Sequence, residues 1–378
     1  MIYNKFQDLY LSALGMGCLR LPILNGDSSQ LDIPAVEEMV DYAIAQGVNY
    51  FDAAYPYHGG KCEEVVGKAL RRYPREEIFF CTKFPGFNRE KVEKHEEIFE
   101  EQLRRTGLEY FDFYLFHSVT ENNIDAYLDE DLGLMKYLLR QKEQGHIKHL
   151  GFSTHGSLET MKRFLDTYGQ YMELCQIQLN YLDWSFQQAQ EKVELITSYG
   201  LPVWVMEPVR GGALAKLPAE QEATLMALRP DEGIPAWALR FTQSLPEVCV
   251  TLSGMSNMDQ LRENIETFRK RKPLNLAETA ALLGVAEELL KKKTLPCTAC
   301  RYCTSQCPQE LDIPAMIGKY NEIRLSDSPE DAEWMLRSIP EDKRPSACLG
   351  CRACEFVCPQ KIAIADMMSD FAAMENKG

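Results

Sequence analysis

The sequence predicts an α/β architecture: a closed (β/α)8 barrel, the TIM-barrel arrangement, followed by a small, mainly helical, cysteine-rich domain. Three observations carry this expectation. Short β-rich runs alternate with longer amphipathic stretches eight times across residues 1–273. Eight of the 13 cysteines fall in the last quarter of the chain, in two runs of identical spacing. The rival doubly wound dinucleotide fold lacks its fingerprint, because Gly15-x-Gly17 has no third glycine opening a helix.

The expected strands are Leu14–Cys18, Tyr50–Ala54, Ile78–Lys83, Phe111–His117, His149–Ser153, Leu174–Asn180, Val203–Glu207 and Val248–Leu252. In the first intervening helix, Val36, Met39, Val40, Ala43 and Ile44 repeat at the spacing of one buried stripe. Pro34 suits its first turn and Gly47 its exit. Arg269-Lys270-Arg271-Lys272-Pro273 reads as a solvated helix end and a stop. A further helix is expected over 277–293. The expected division is therefore a barrel over 1–273, a helical linker over 274–294, and the cysteine-rich domain over 295–378, with helical patterns at Ile313–Ile323 and Pro329–Arg337.

A formal charge of −15 disfavours nucleic acid as a partner, since phosphates would be repelled and no basic patch compensates. The 45% hydrophobic and 26% charged composition is that of a globular protein. No apolar run approaches bilayer-spanning length, and the N-terminal residues lack the layout of a secretory signal. A cytoplasmic protein without a membrane partner is expected. Free cysteines grouped as metal ligands fit a reducing compartment better than a disulfide scaffold.

Cys297-x2-Cys300-x2-Cys303-x3-Cys307-Pro308 recurs as Cys348-x2-Cys351-x2-Cys354-x3-Cys358-Pro359. This spacing is that of two-cluster bacterial ferredoxins, in which the fourth cysteine of each run ligates the other cluster. By that rule one 4Fe-4S cluster takes Cys297, Cys300, Cys303 and Cys358, and the other takes Cys348, Cys351, Cys354 and Cys307. Structural zinc, the competing explanation, usually uses separated cysteine pairs rather than triads. The long, helix-patterned gap between the runs makes the module resemble the α-helical ferredoxins more than the small β-ribbon type.

In a barrel the reactive groups gather at the carboxyl ends of the strands. Those ends carry Asp52 and Tyr57, then Lys83, then His117. Hydride reduction of a carbonyl builds negative charge on oxygen and requires a nearby proton donor. A phenol is a weak donor at neutral pH unless a cation lowers its pKa, so Lys83 is expected to tune Tyr57, Asp52 to anchor Lys83, and His117 to orient the carbonyl. Alternation in an extended segment would put Tyr55 and Tyr57 on one side, so spacing leaves both open. A metal site built from His58, His117 and His155 is a lesser alternative, while His146 and His149 are expected to be structural.

The run Asn49-Tyr-Phe-Asp-Ala-Ala-Tyr-Pro-Tyr57, the strand end Cys81-Thr-Lys83 and Asp112-Phe-Tyr-Leu-Phe-His117 resemble the aldo/keto reductases over about residues 8–270. The resemblance favours Tyr57 as the acid and implies an oxidoreductase that binds NADH or NADPH across the barrel mouth. It places Ser153 and Gln176 at the carboxamide. It also places the loop of Arg210, Gly211 and Gly212 near a phosphate, and Glu263 and Asn264 at the adenine. Ser253-Gly254-Met255-Ser256-Asn257 opens a helix, with Ser256-x-x-Asp259 as its capping signature. Three positions depart from the family: Thr154 replaces an asparagine, Met206 stands where an aromatic residue supports the nicotinamide, and Gly254 and Gln260 stand where basic residues select NADP. Arg210 is the candidate to compensate.

Nicotinamide moves electrons in pairs whereas each cluster passes one at a time. A flavin in the barrel mouth, or a ferredoxin or flavoprotein partner, would reconcile the two. The expected function is reduction of a small carbonyl or unsaturated substrate with the clusters relaying electrons. An electron-transfer subunit and a redox sensor, each using the barrel as a scaffold, are the alternatives.

Overall fold

In the computed structural model the described residues are 1–291, 294–326, 336 and 339–375. The chain divides into two units, Met1–Leu282 and Leu283–Gly378, with the division inside the helix Leu276–Lys291.

The first unit opens with an antiparallel hairpin, β1 (Tyr3–Phe6) and β2 (Leu9–Ser12), which has no counterpart among the expected strands. Eight parallel strands follow: β3 (Leu14–Gly17), β4 (Tyr50–Asp52), β5 (Phe79–Phe84), β6 (Phe111–Val119), β7 (Ile147–Thr154), β8 (Leu174–Gln178), β9 (Val203–Met206) and β10 (Val248–Gly254). They pair in sequence order, and β10 returns to β3 with Thr251 opposite Leu14 and Gly254 opposite Gly17, closing the barrel. All eight expected strands are present.

The barrel interior is packed rather than hollow. Tyr50, Phe113, Leu115, Leu174, Trp204 and Val250 fill its lower half, and Phe6 and Leu11 of the hairpin join the same cluster. Phe6 meets Trp204 edge-on at 5.2 Å between ring centroids. These contacts close the amino end of the barrel.

The helix Ile33–Ala45 buries the expected stripe of Val36, Met39, Val40 and Ala43, and Asp32 caps it by accepting from the Ala35 N–H at 3.2 Å. The helix Cys62–Leu70 lies close against the helix His95–Thr106. A Cβ on Gly67 would stand 2.5 Å from the Thr106 carbonyl oxygen, so only glycine permits that approach.

Among its described residues the second unit contains helices and no strand: Ile313–Ser326, Ala353–Phe356 and Ile364–Glu375, joined by single turns. Leu311, Ile313, Met316, Ile317, Tyr320, Met368 and Phe371 form its core, which also holds Cys303 and Cys354. The expected helix Pro329–Arg337 lies outside the described residues.

Candidate active site and cysteine cluster

Lys83, near the carboxyl end of β5, is buried with its ammonium 2.6 Å from Asp52 Oδ1 and 2.7 Å from the Ala53 carbonyl. Tyr57 and His117 complete the group. The Lys83 Nζ lies 5.4 Å from the Tyr57 ring centroid, and the Tyr57 and His117 rings meet nearly perpendicular with centroids 6.0 Å apart. All four side chains are buried, and the Phe87 ring packs against His117 at 5.1 Å.

The segment between Asp52 and Tyr57 decides between the two tyrosines. It turns instead of running extended, with the Tyr57 N–H bonded to the Ala54 carbonyl at 3.1 Å. Tyr57 is thereby aimed at Lys83. Tyr55 points outward, donating to Glu101 at 2.8 Å beneath the Arg105 guanidinium.

The electrostatics correct one expectation. Burial, and then the Asp52 carboxylate, push the Tyr57 phenol well above its ordinary pKa. Lys83 spends its charge on Asp52, so the resting phenol is kept protonated rather than acidified. Burial also raises the Asp52 carboxyl, opposed by Lys83. Burial, followed by Lys83 and then His155, holds His117 well below the usual histidine range, so its imidazole is neutral. Between about pH 6.5 and about pH 10, the ordinary values of the two groups, neither ring changes charge: His117 takes its proton below that window and Tyr57 loses its own above it. Turnover measured across the window is expected to be flat apart from substrate ionisation. A bell centred near neutrality would contradict this assignment.

Residues absent from the sequence reading support this group from behind. Glu63, fully buried, accepts from Thr82 Oγ1 and Gln102 Nε2, each at 2.6 Å. Gln102 also donates to the Lys83 carbonyl at 3.1 Å and accepts from Tyr114 at 2.7 Å. Glu63 looks in sequence like an ordinary acid in a first helical turn; only its burial against β5 reveals the role.

His58, His117 and His155 do not form a metal site. His58 is taken up by the Ser28 and Cys18 carbonyls at 2.8 and 3.1 Å, and no group of three potential ligands is assembled for a single metal ion among the described residues. His146 and His149 bond Gln141 and Glu173, away from the four-residue group.

The expected nucleotide positions ring the carboxyl ends of β7 to β10. Gln176 is buried with its Oε1 lacking a hydrogen-bond partner, an acceptor that a carboxamide N–H would satisfy. Ser153 is engaged, accepting from the Ser118 N–H at 2.8 Å. Met206, half-buried, ends β9. Arg210 is buried, with Nε bonded to Asp183 at 3.2 Å, while Gly211 and Gly212 beside it are exposed. Asp183 also accepts from Gln178 and Asn180, both at 2.7 Å, so the loop after β9 is anchored from below.

At the last helix of the barrel the capping register shifts by one. Asn257, extended at φ −156°, accepts from the Gln260 N–H at 3.0 Å, whereas Ser256 stands outside the cap with its N–H on the Gln260 side chain at 2.8 Å. Asn264 is buried and donates to Ser253, while Ser256, Gln260 and Glu263 are exposed. Gly254 leaves room for Arg20: a Cβ there would lie 3.1 Å from the Arg20 side chain.

The two cysteine runs share one backbone conformation. Left-handed residues recur at matching places, Ala299 with Gly350, Arg301 with Arg352, and Glu310 with Lys361. They turn the Ala299 and Gly350 N–H groups onto Cys297 and Cys348 sulfur, each at 3.4 Å. Amide donors aimed at sulfur suit the negative charge of a thiolate-held cluster. Cys303 lies within electrostatic reach of Cys300, Cys297, Cys358 and Cys354, and Cys354 within reach of Cys348 and Cys307. Cys307, Cys348, Cys351 and Cys354 line one small cavity together. Eight thiols in two runs of like conformation are a donor set that fits iron–sulfur clusters.

Comparison with known proteins agrees with this geometry. Residues 13–285 match the aldo/keto reductase family and residues 296–363 match the 4Fe-4S dicluster domain. A probable aldo-keto reductase from soybean is 29% identical over 54% of this chain, and the chain spans 58% of its length. The NADH-specific methylglyoxal reductase of Escherichia coli is 26% identical over 73% of this chain and 94% of its own. Among solved structures, the holo form of an aldo-keto reductase from Bacillus halodurans superposes with a TM-score of 0.59 at 24% identity, over 75% of this chain and 96% of that one; it speaks to the fold. The closed parallel barrel and the paired cysteine runs thus converge on one assignment: this chain is an oxidoreductase of the aldo/keto reductase family carrying a C-terminal 4Fe-4S dicluster domain.

Proposed function

We propose that this chain reduces a small carbonyl or unsaturated compound at the barrel mouth, with two 4Fe-4S clusters in the second unit relaying electrons. The observation that carries the reading is the buried Lys83–Asp52 pair beneath the facing rings of Tyr57 and His117. Ser153, Gln176, the loop of Arg210 and Gly211, Met206, Gly254, Ser256, Gln260, Glu263 and Asn264 are the positions that would hold a nicotinamide dinucleotide. When bound, that cofactor supplies hydride. Tyr57 then acts as general acid, giving its proton to the substrate oxygen as negative charge builds there. Lys83 stabilises the developing phenolate, Asp52 fixes Lys83, and the neutral His117 orients the carbonyl. A phenol that is too weak an acid at rest becomes competent when an acceptor oxygen turns anionic beside it, because catalysis depends on the transition state and not on the resting pKa.

A flavin, bound in the mouth or carried by a ferredoxin- or flavoprotein-type partner, would join two-electron chemistry to one-electron clusters. A reducing, cytoplasmic setting follows from the free thiolates this requires. The E. coli relative makes methylglyoxal with NADH the first substrate to assay.

Anaerobic purification, followed by iron, sulfide and released-cofactor analysis and by that assay, tests the reading. Cys354→Ser is expected to halve iron and sulfide while sparing the barrel. Protein lacking flavin and flavin affinity, and fully active with NADH after its clusters are stripped, would overturn the relay.

A further inference from the structure

A cavity of about 300 Å3 opens at the amino ends of β5 and β6, the opposite ends of these strands from Lys83 and His117. Its volume lies at the lower end of the range of small-molecule sites. Its apolar floor is made by Leu70, Ile78, Phe80 and Leu108, each 8% exposed or less. Two guanidinium groups line it.

Arg75 is fixed in place, donating to the Ile78 carbonyl at 2.7 Å, the Tyr110 carbonyl at 3.0 Å and Asp112 at 2.6 Å, with its plane over the Tyr110 ring at 3.9 Å. After these bonds its buried Nε still has no acceptor. Arg71 is exposed and makes no side-chain hydrogen bond or ion pair among the described residues. Its guanidinium lies where a side chain at Gly107 would otherwise stand: a Cβ there would come within 2.5 Å of Nη1, and Gly107 has a φ of +65°. Glycine at this turn therefore does two things, permitting the left-handed backbone and giving Arg71 its place beside the cavity. Glu109, also at the rim, forms no ion pair with Arg71.

An apolar floor beside an exposed guanidinium with donors to spare, Arg71, and a second fixed in the wall, Arg75, calls for an amphipathic anion. We propose that this cavity binds a small aromatic carboxylate, its ring on the floor and its carboxylate on Arg71, with Arg75 adding positive charge from the wall. The inference is independent of the chemistry proposed at the barrel mouth.

The test is calorimetric titration of the full, cluster-loaded chain with phenylacetate and with the neutral phenylacetamide. Phenylacetate is expected to saturate one site and to bind about ten-fold or more tighter than the amide, the difference a charge-assisted hydrogen bond makes. Arg71→Ala should remove that preference, and Arg71→Glu should abolish phenylacetate binding. Arg71 is exposed, so folding is not at stake in either variant. No saturation, equal affinity for acid and amide, or binding indifferent to both Arg71 substitutions would overturn the proposal.

Discussion

Tyr57→Phe is expected to lower turnover by about 100- to 10,000-fold, the range for loss of a positioned general acid, while leaving folding and iron content unchanged. The substitution removes one oxygen and keeps the ring that faces His117, so packing survives. The phenol is held neutral, above its ordinary pKa, by burial and by Asp52, so its loss removes no charge from the core. The effect should therefore fall on kcat, with little change in cofactor affinity. Tyr55→Phe supplies the control: its hydroxyl serves Glu101 on the outside of the barrel, and its loss should leave turnover nearly intact. Equal activity of Tyr57→Phe and the parent would remove Tyr57 from the mechanism.

Lys83→Met should abolish turnover and also destabilise the barrel, by about 3–5 kcal/mol, because it leaves Asp52 buried without its counter-charge. The pH dependence of that loss has a definite sign. Without Lys83 the Asp52 carboxyl, already raised by burial, must hold a proton in the folded state. Stability contributed by a group with a raised folded pKa is present at low pH and is lost as pH rises through that value. The deficit should thus shrink as pH falls toward about 4, the ordinary aspartate value. Pairing Lys83→Met with Asp52→Leu should restore much of the stability without restoring activity. Thermal unfolding of the three proteins across pH separates the pair's structural role from its chemical one. Equal stability of Lys83→Met and the parent would show that the ion pair holds nothing together.

The barrel was legible in the sequence because each of its strands is a short apolar run bounded by breakers, and because burial of parallel strands on both faces makes such runs conspicuous. The four-residue group was legible for a related reason: Asp52, Lys83 and His117 are polar residues at the ends of apolar strands. Other features were hidden. The hairpin Tyr3–Ser12 mixes polar and aromatic residues and earns its place only through contacts with strands far along the chain. Spacing alone left Tyr55 and Tyr57 equivalent, and the turn between them is what sends them to different sides. Glu63 and Asp183 are carboxylates at 0% exposure. Nothing in a linear pattern distinguishes a buried, fully used acid from a solvated one. The cap register at Asn257 turned on which of two neighbouring polar residues took extended backbone, a choice local composition leaves nearly balanced.

The stopper that Phe6 and Leu11 form makes the barrel a dead-end vessel. The Lys83–Asp52 pair is itself buried above that packed floor, so an occupant of the mouth would complete a surround that is already largely dry. Coulombic attraction strengthens as local polarisability falls, and the grip of Asp52 on Lys83 therefore tightens when the vessel is full and slackens when it empties. Loading the mouth would, in that sense, lock the ion pair under the phenol before any proton moves.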